Sequence, residues 1–154
     1  MTRLKRRLTT PVAALAALLL AAGSLQAAGE SWMDNFKEAQ ELAKKHNQLI
    51  LADFTGSDWC GWCIRLDKEV FSKPEFQEYV KDKFVLVELD FPRQKKQEPA
   101  IEKQNKELAE KYGVRGFPTV LVLKPDGEVV EQLGYMEGGP KAFIKALEKA
   151  KDKA

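Results

Sequence analysis

The 154-residue sequence predicts an α/β fold in which a central mixed sheet of four to five strands is flanked by helices on both faces. Three observations carry this expectation. Short, nearly all-apolar runs at 49–54, 84–89 and 119–123 read as buried strands. Segments with apolar residues at helical spacing separate them. After the third run, Lys124-Pro125-Asp126-Gly127 is a turn sequence and 128–133 a returning strand, so a hairpin closes the sheet.

The chain opens with Arg3, Lys5, Arg6 and Arg7 and no acidic residue. Residues 12–22 are almost purely Ala and Leu, and small residues follow at Gly23, Ser24, Ala27 and Ala28. This order describes a secretory signal peptide. Its apolar core is about a dozen residues, short of the roughly 18–20 that span a bilayer. An uncleaved anchor helix is the alternative. Cleavage near Ala27/Ala28 divides the chain into a leader, 1–27, and one domain, 28–154, in the periplasm or outside the cell. No stable membrane insertion is then expected.

Within the domain, Ser31 followed by Asp34 resembles a capping box. Trp32, Phe36, Ala39 and Ala43 mark one face of a helix ending near His46. The segment 60–70 reads as a helix with Ile64, Leu66 and Val70 on its apolar side. Ser72 and Pro74 restart a helix whose Phe76, Tyr79 and Val80 face inward. A polar loop covers 91–98. Pro99 opens a long helix that Gly113 stops. Pro140 opens the last helix, with Phe143, Ile144 and Leu147 inward. The order is α-β-α-β-α-β-β-α.

Charge says little about partners. Four of the 25 basic residues and none of the 23 acidic ones fall in the first 27, so the remainder holds 21 bases against 23 acids, a formal −2. Nothing in that balance points to nucleic acid or to a membrane surface. The basic run Arg93 to Lys96 reads as a solvated loop.

The chemistry is concentrated in Trp59-Cys60-Gly61-Trp62-Cys63, which contains both cysteines of the chain. A Cys-x-x-Cys pair at the start of a helix can close a small disulfide ring. The unpaired N–H groups and the dipole there favour a thiolate on the first sulfur. A thiolate is the species that attacks disulfides. A ring this small restricts the unfolded chain little, so a purely structural disulfide is the weaker reading. Closed zinc centres need four ligands, and His46 is the single histidine, so no metal is expected. The aromatics Trp59, Trp62, Phe117 and Tyr135 suit peptide binding. A peptide-binding module without turnover, or a metal-handling protein, is the alternative to an enzyme.

Three features together resemble the thioredoxin superfamily, and in particular its secreted bacterial thiol–disulfide oxidoreductases. They are Trp59-Cys60-Gly61-Trp62-Cys63 with the preceding Asp53-Phe54-Thr55-Gly56-Ser57-Asp58, the segment Tyr112-Gly113-Val114-Arg115-Gly116-Phe117-Pro118-Thr119, and the order of elements. The resemblance covers nearly all of the domain and implies a thioredoxin-like fold. It implies that Cys60 is the exposed attacking thiol and that the more buried Cys63 resolves the mixed disulfide. Trp59 would shield the site and contact substrate, and Gly61 would permit close approach of another backbone. Trp62 stands where relatives carry Pro, His or Tyr. Pro118 would be cis, leaving Phe117 and Thr119 beside an extended substrate. Asp53 is either a buried acid that helps deprotonate Cys63 or a loop cap. The lysine of thioredoxin's next strand is replaced by Leu86, and Glu88 is expected on the opposite face of that strand from the site. The redox-active Cys60–Cys63 disulfide would serve in place of a cofactor. Partners would be proteins with thiols or disulfides, together with a redox partner that resets the pair and docks on the long connection from Phe91 to Lys111. Trp62 brings no cation to the thiolate, so the potential is expected in the reducing or intermediate part of a range running from about −270 to about −120 mV.

Mass spectrometry of the exported protein should find a new N-terminus between Ala28 and Glu30; an intact Met1 would show that the leader is retained.

Overall fold

A computed structural model describes residues 31–154; the expected leader and its cleavage site lie outside the described residues. Along the chain come α1 (Phe36–His46), β1 (Leu49–Thr55), α2 (Gly61–Leu66), a π-helical continuation (Asp67–Phe71), α3 (Pro74–Val80), β2 (Phe84–Asp90), α4 (Pro99–Lys111), β3 (Thr119–Leu123), β4 (Val129–Leu133) and α5 (Gly139–Lys151). The helix expected over 60–70 and the one expected to restart at Ser72 and Pro74 are both present, and the break between them falls at Ser72. The Ser72 N–H donates to the Asp67 carbonyl at 2.9 Å, and its hydroxyl donates to Asp67 and Lys68 carbonyls at 2.9 and 3.2 Å. That five-residue step is π geometry. Lys73 is then extended, as a residue before proline prefers, and Pro74 starts α3.

The cap of α1 is Asn35 and not Ser31. The Asn35 side chain accepts the Glu38 N–H at 3.1 Å and donates to the Glu38 carboxylate at 3.0 Å. The residues before it are occupied elsewhere. The Met33 N–H donates to the Leu86 carbonyl at 2.9 Å, and its carbonyl accepts from Glu88 N–H at 2.8 Å. This bridge adds a rudimentary fifth strand beside β2.

The sheet runs β2-β1-β3-β4, with β1 parallel to β2 and antiparallel to β3, and β3 antiparallel to β4. Alternation along the strands divides the core in two. On one face Ile50, Ala52, Phe54, Val85, Val87 and Leu121 pack against Phe36, Ala39 and Ala43 of α1 and Leu108 of α4. On the other, Leu51, Leu86, Val120 and Val122 pack against Leu66, Phe71, Phe76, Val80, Phe143 and Leu147. Helices therefore cover both faces of a mixed sheet, as the sequence predicts. Ile64 departs from expectation: it is 47% exposed, on the outer side of α2. Among the described residues no helix is long and apolar enough to cross a membrane.

Phe143 is fully buried, with its ring centroid 5.5 Å from Phe71 and 6.1 Å from Phe76. Phe143→Ala should lower the free energy of unfolding by about 3–5 kcal/mol. The check is a urea titration with an unchanged slope; Ile144→Ala, at a half-buried position, should cost less.

Candidate active site

The carboxyl end of β1 delivers the chain into a tight turn. Trp59 and Cys60 N–H groups both donate to the Gly56 carbonyl, at 3.2 and 2.9 Å. A β-carbon on Gly56 would lie 2.6 Å from the Trp59 indole, so only glycine fits beneath that ring. Cys60 is the extended N-cap of α2, and its Sγ accepts the Cys63 N–H at 3.3 Å. The two cysteines form a disulfide with Cα atoms 5.3 Å apart. Cys60 is 7% exposed and Cys63 4%, so in this oxidised state Cys60, expected to be the exposed member of the pair, is scarcely more open than Cys63. The Cys63 N–H at the first sulfur is the kind of contact that stabilises a thiolate once the bond opens. An added β-carbon at Gly61 would meet no atom within 4 Å, so space lies open at that backbone.

Two aromatic pairs accompany the disulfide. The Phe117–Pro118 peptide is cis. Pairing of Phe54 with Thr119 sets residues 117 and 118 beside the end of β1. The Trp59 and Phe117 rings meet edge to face at 6.0 Å, and Phe91 stacks on Phe117 at 4.9 Å. On the other side Trp62, 55% exposed, lies 4.9 Å from Tyr135. Arg65 is within 5.4 Å of the Trp62 ring and 5.0 Å of Tyr135. It also pairs with Glu69 at 2.8 Å, while the Tyr135 hydroxyl donates to Glu69 at 2.7 Å. Arg65 thus lies against both aromatics while its side chain remains half exposed. The Thr119 hydroxyl donates to the Gly116 carbonyl at 2.8 Å, so this side chain is committed within the loop.

Asp53 is buried, and its Oδ1 has no hydrogen-bond partner among the described residues. It lines a cavity of about 260 Å³ with Cys63, Asp67, Glu88, Thr55 and Ser57. Such a space has room for water. Glu88 is the parallel-strand partner of Asp53 and therefore points to the same side. This overturns the expectation that Glu88 faces away: Leu86 and Glu88 are two apart and share a face, so a reading that put Leu86 towards the site had to put Glu88 there too. Burial, then the neighbouring Glu88, Asp67 and Asp90 charges, push the Asp53 carboxyl well above its ordinary range. Burial also raises Glu88, with Asp90 adding to the shift. A carboxyl with a raised pKa suits proton exchange with a thiol lining the same cavity better than a loop-capping acid with a satisfied side chain does.

The loop between β2 and α4 is anchored to the turn. The Asp58 carboxylate accepts backbone N–H groups from Arg93, Gln94 and Lys95 at 2.7–3.2 Å, and these bonds lower its pKa. Asp90 accepts the Ser57 N–H and hydroxyl at 2.9 and 2.7 Å and pairs with Lys95 at 3.0 Å. The run Arg93 to Lys96 is therefore not simply a solvated loop. These contacts are invisible to motif reading, since Asp58 and Ser57 meet their partners in a segment more than thirty positions downstream. His46 is exposed at the end of α1.

A family profile described as "Thioredoxin-like domain" matches residues 36–151. The disulfide bond reductase DsbH of Chlamydia pneumoniae is 32% identical over 126 residues, covering 82% of this chain and 75% of that protein. A solved structure titled "DsbH Oxidoreductase" superposes with a TM-score of 0.78 at 30% identity, over 88% of this chain and 94% of the other. A thioredoxin from Thermus thermophilus gives 0.61 at 25% identity, over 79% and 86%. The chain belongs to the thioredoxin-like domain family. Fold and disulfide together make it a thiol–disulfide oxidoreductase of the reductase and isomerase type.

The raised Asp53 carboxyl carries a definite sign for stability. Between the ordinary carboxylate range and its folded pKa, the native state keeps a proton that the unfolded state has released. Its contribution is therefore full at low pH and is lost as pH rises through the folded value. Asp53→Asn should raise the thermal midpoint at neutral and alkaline pH, with the gain shrinking towards pH 4. Thermal melts across that window check this; a pH-independent difference would show that Asp53 does not titrate there.

Proposed function

We propose that this protein exchanges disulfides with client proteins in the periplasm or outside the cell, in the reducing or isomerising direction. The single observation that supports this best is the Cys60–Cys63 disulfide at the amino end of α2, with the Cys63 N–H donating to the Cys60 sulfur. The sequence of the first 27 residues supports export, as does similarity to a disulfide bond reductase.

In the reducing direction, the Cys60 thiolate attacks one sulfur of a client disulfide and expels the other as a thiolate. The result is a mixed disulfide on Cys60. Cys63, its proton passed through the cavity to Asp53 with Glu88 beside it, then attacks the Cys60 sulfur. The client leaves with two electrons gained, and the Cys60–Cys63 disulfide is restored. A dithiol partner must reduce the pair for another cycle; the reverse sequence oxidises clients. Trp59, Trp62, Phe117, Pro118 and Thr119 form the surroundings a client strand meets, and Gly61 leaves room for its backbone. The cysteine pair carries the electrons, so the reaction needs no further redox group.

Insulin reduction with dithiothreitol tests the reading. Cys60→Ser should abolish turnover, a loss of at least about a thousandfold if the thiolate is the nucleophile. Cys63→Ser should accumulate a mixed disulfide visible on a non-reducing gel. Turnover that survives Cys60→Ser would defeat the mechanism, and an inactive parent that binds reduced peptide would favour a binding module.

A further inference from the structure

The loop 91–95 lies against the redox turn with more contacts than chain connection requires. Asp58 gathers three consecutive backbone N–H groups, from Arg93, Gln94 and Lys95, and its own carbonyl accepts from the Gln94 side chain at 3.0 Å. The next residue, Trp59, donates its indole N–H to the Phe91 carbonyl at 2.8 Å. Arg93 lies over the same indole, its guanidinium carbon 3.5 Å from the ring centroid. From below, Gly56 leaves no space for a β-carbon, and Phe117 meets the ring edge to face. The indole is thus held by a hydrogen bond at its nitrogen, a cation on one face and a glycine floor. It sits one residue before Cys60. Fold stability alone does not demand this: Arg93 is exposed, and neither hydrophobic core includes Asp58, Trp59 or Arg93.

We infer that Asp58 and Arg93 are positioning residues of the redox site. Asp58 folds the 91–95 loop into a cradle of N–H groups, which places the Arg93 guanidinium on Trp59 and the Phe91 carbonyl at its nitrogen. The fixed indole then forms one wall of the client groove. Releasing it weakens client binding without altering the sulfur chemistry. The inference rests on the oxidoreductase reading for its consequence in turnover, but the clasp itself is a property of the folded chain.

Two measurements test it. In insulin reduction, Arg93→Ala should raise KM by roughly three- to tenfold while kcat stays close to the parent value, the scale of one lost cation–π contact. Arg93→Lys should recover most of that loss, and Asp58→Ala should match or exceed it. Separately, with Trp32→Phe and Trp62→Phe as background, acrylamide quenching of Trp59 fluorescence should rise in both Arg93→Ala and Asp58→Ala. Asp58→Ala risks loosening the loop, so Arg93→Ala with an unchanged thermal midpoint is the decisive variant. An unchanged KM, unchanged quenching, or an activity loss that only follows a lowered midpoint overturns the clasp. An inactive parent would count against the functional reading instead, and quenching then decides the clasp by itself.

Discussion

Strand β1 is hydrogen-bonded on both edges and covered on both faces, and the site exists because of that confinement. Its parallel pairing with β2 runs from Leu49–Phe84 to Thr55–Asp90, and its antiparallel pairing with β3 from Ile50–Leu123 to Phe54–Thr119. Every residue from Ile50 to Thr55 is buried. A strand so fixed cannot slip by one position, because a slip would exchange Phe54 with Asp53 between an apolar layer and a polar cavity. Its end therefore aims the 56–60 turn, and with it the first turn of α2, at one place. The cis Phe117–Pro118 peptide arrives there from β3, and Asp90 and the loop beyond it arrive from β2.

Within that frame the site balances opposite electrostatic demands. On the helix side, the Cys63 N–H supplies positive character to the Cys60 sulfur. On the sheet side, Asp53, Glu88 and Asp67 line a shared cavity, and burial raises the pKa of Asp53 and of Glu88. An ionised Asp53 would repel a thiolate on Cys63; a protonated one would not. A lysine on β2, expected from thioredoxin itself, would neutralise such an acid. Leu86 and Glu88 give the opposite environment, in which the charge is suppressed by burial and by like charge.

Much of this was legible in the sequence, for reasons that lie in local chemistry. Fully apolar runs mark strands wherever a sheet is covered on both faces, and β3 falls on residues 119–123 as read. The Cys-x-x-Cys pair at the start of a helix announces its own chemistry. What escaped reading depended on register or on distant pairing. The helix cap moved to Asn35 because Met33 is engaged by β2. The helix restart at Ser72 and Pro74 is legible, whereas the π geometry before it, made by the Ser72 N–H and hydroxyl reaching back to Asp67, is not. Glu88 was assigned the wrong face, although period-two alternation from Leu86 gives the right one. Asp58 stands in the stretch that carries the resemblance, but its role does not show there, and only the folded loop brings Arg93 to Trp59. The proposed leader lies outside the described residues, and its reading rests on charge order and length.

The bridge from Met33 to β2 has a consequence for the edge of the sheet. β2 is the outermost full strand on its side, and an unprotected edge invites pairing with another chain. Residues 31–34 cover part of that edge with two backbone hydrogen bonds. Proteolytic trimming that stopped before Ser31 would leave this selvage intact, whereas trimming past Met33 would bare backbone donors and acceptors beside Leu86 and Glu88. Residues 31–34 thus act as an edge cover for β2, and removing them would leave that backbone open to another strand.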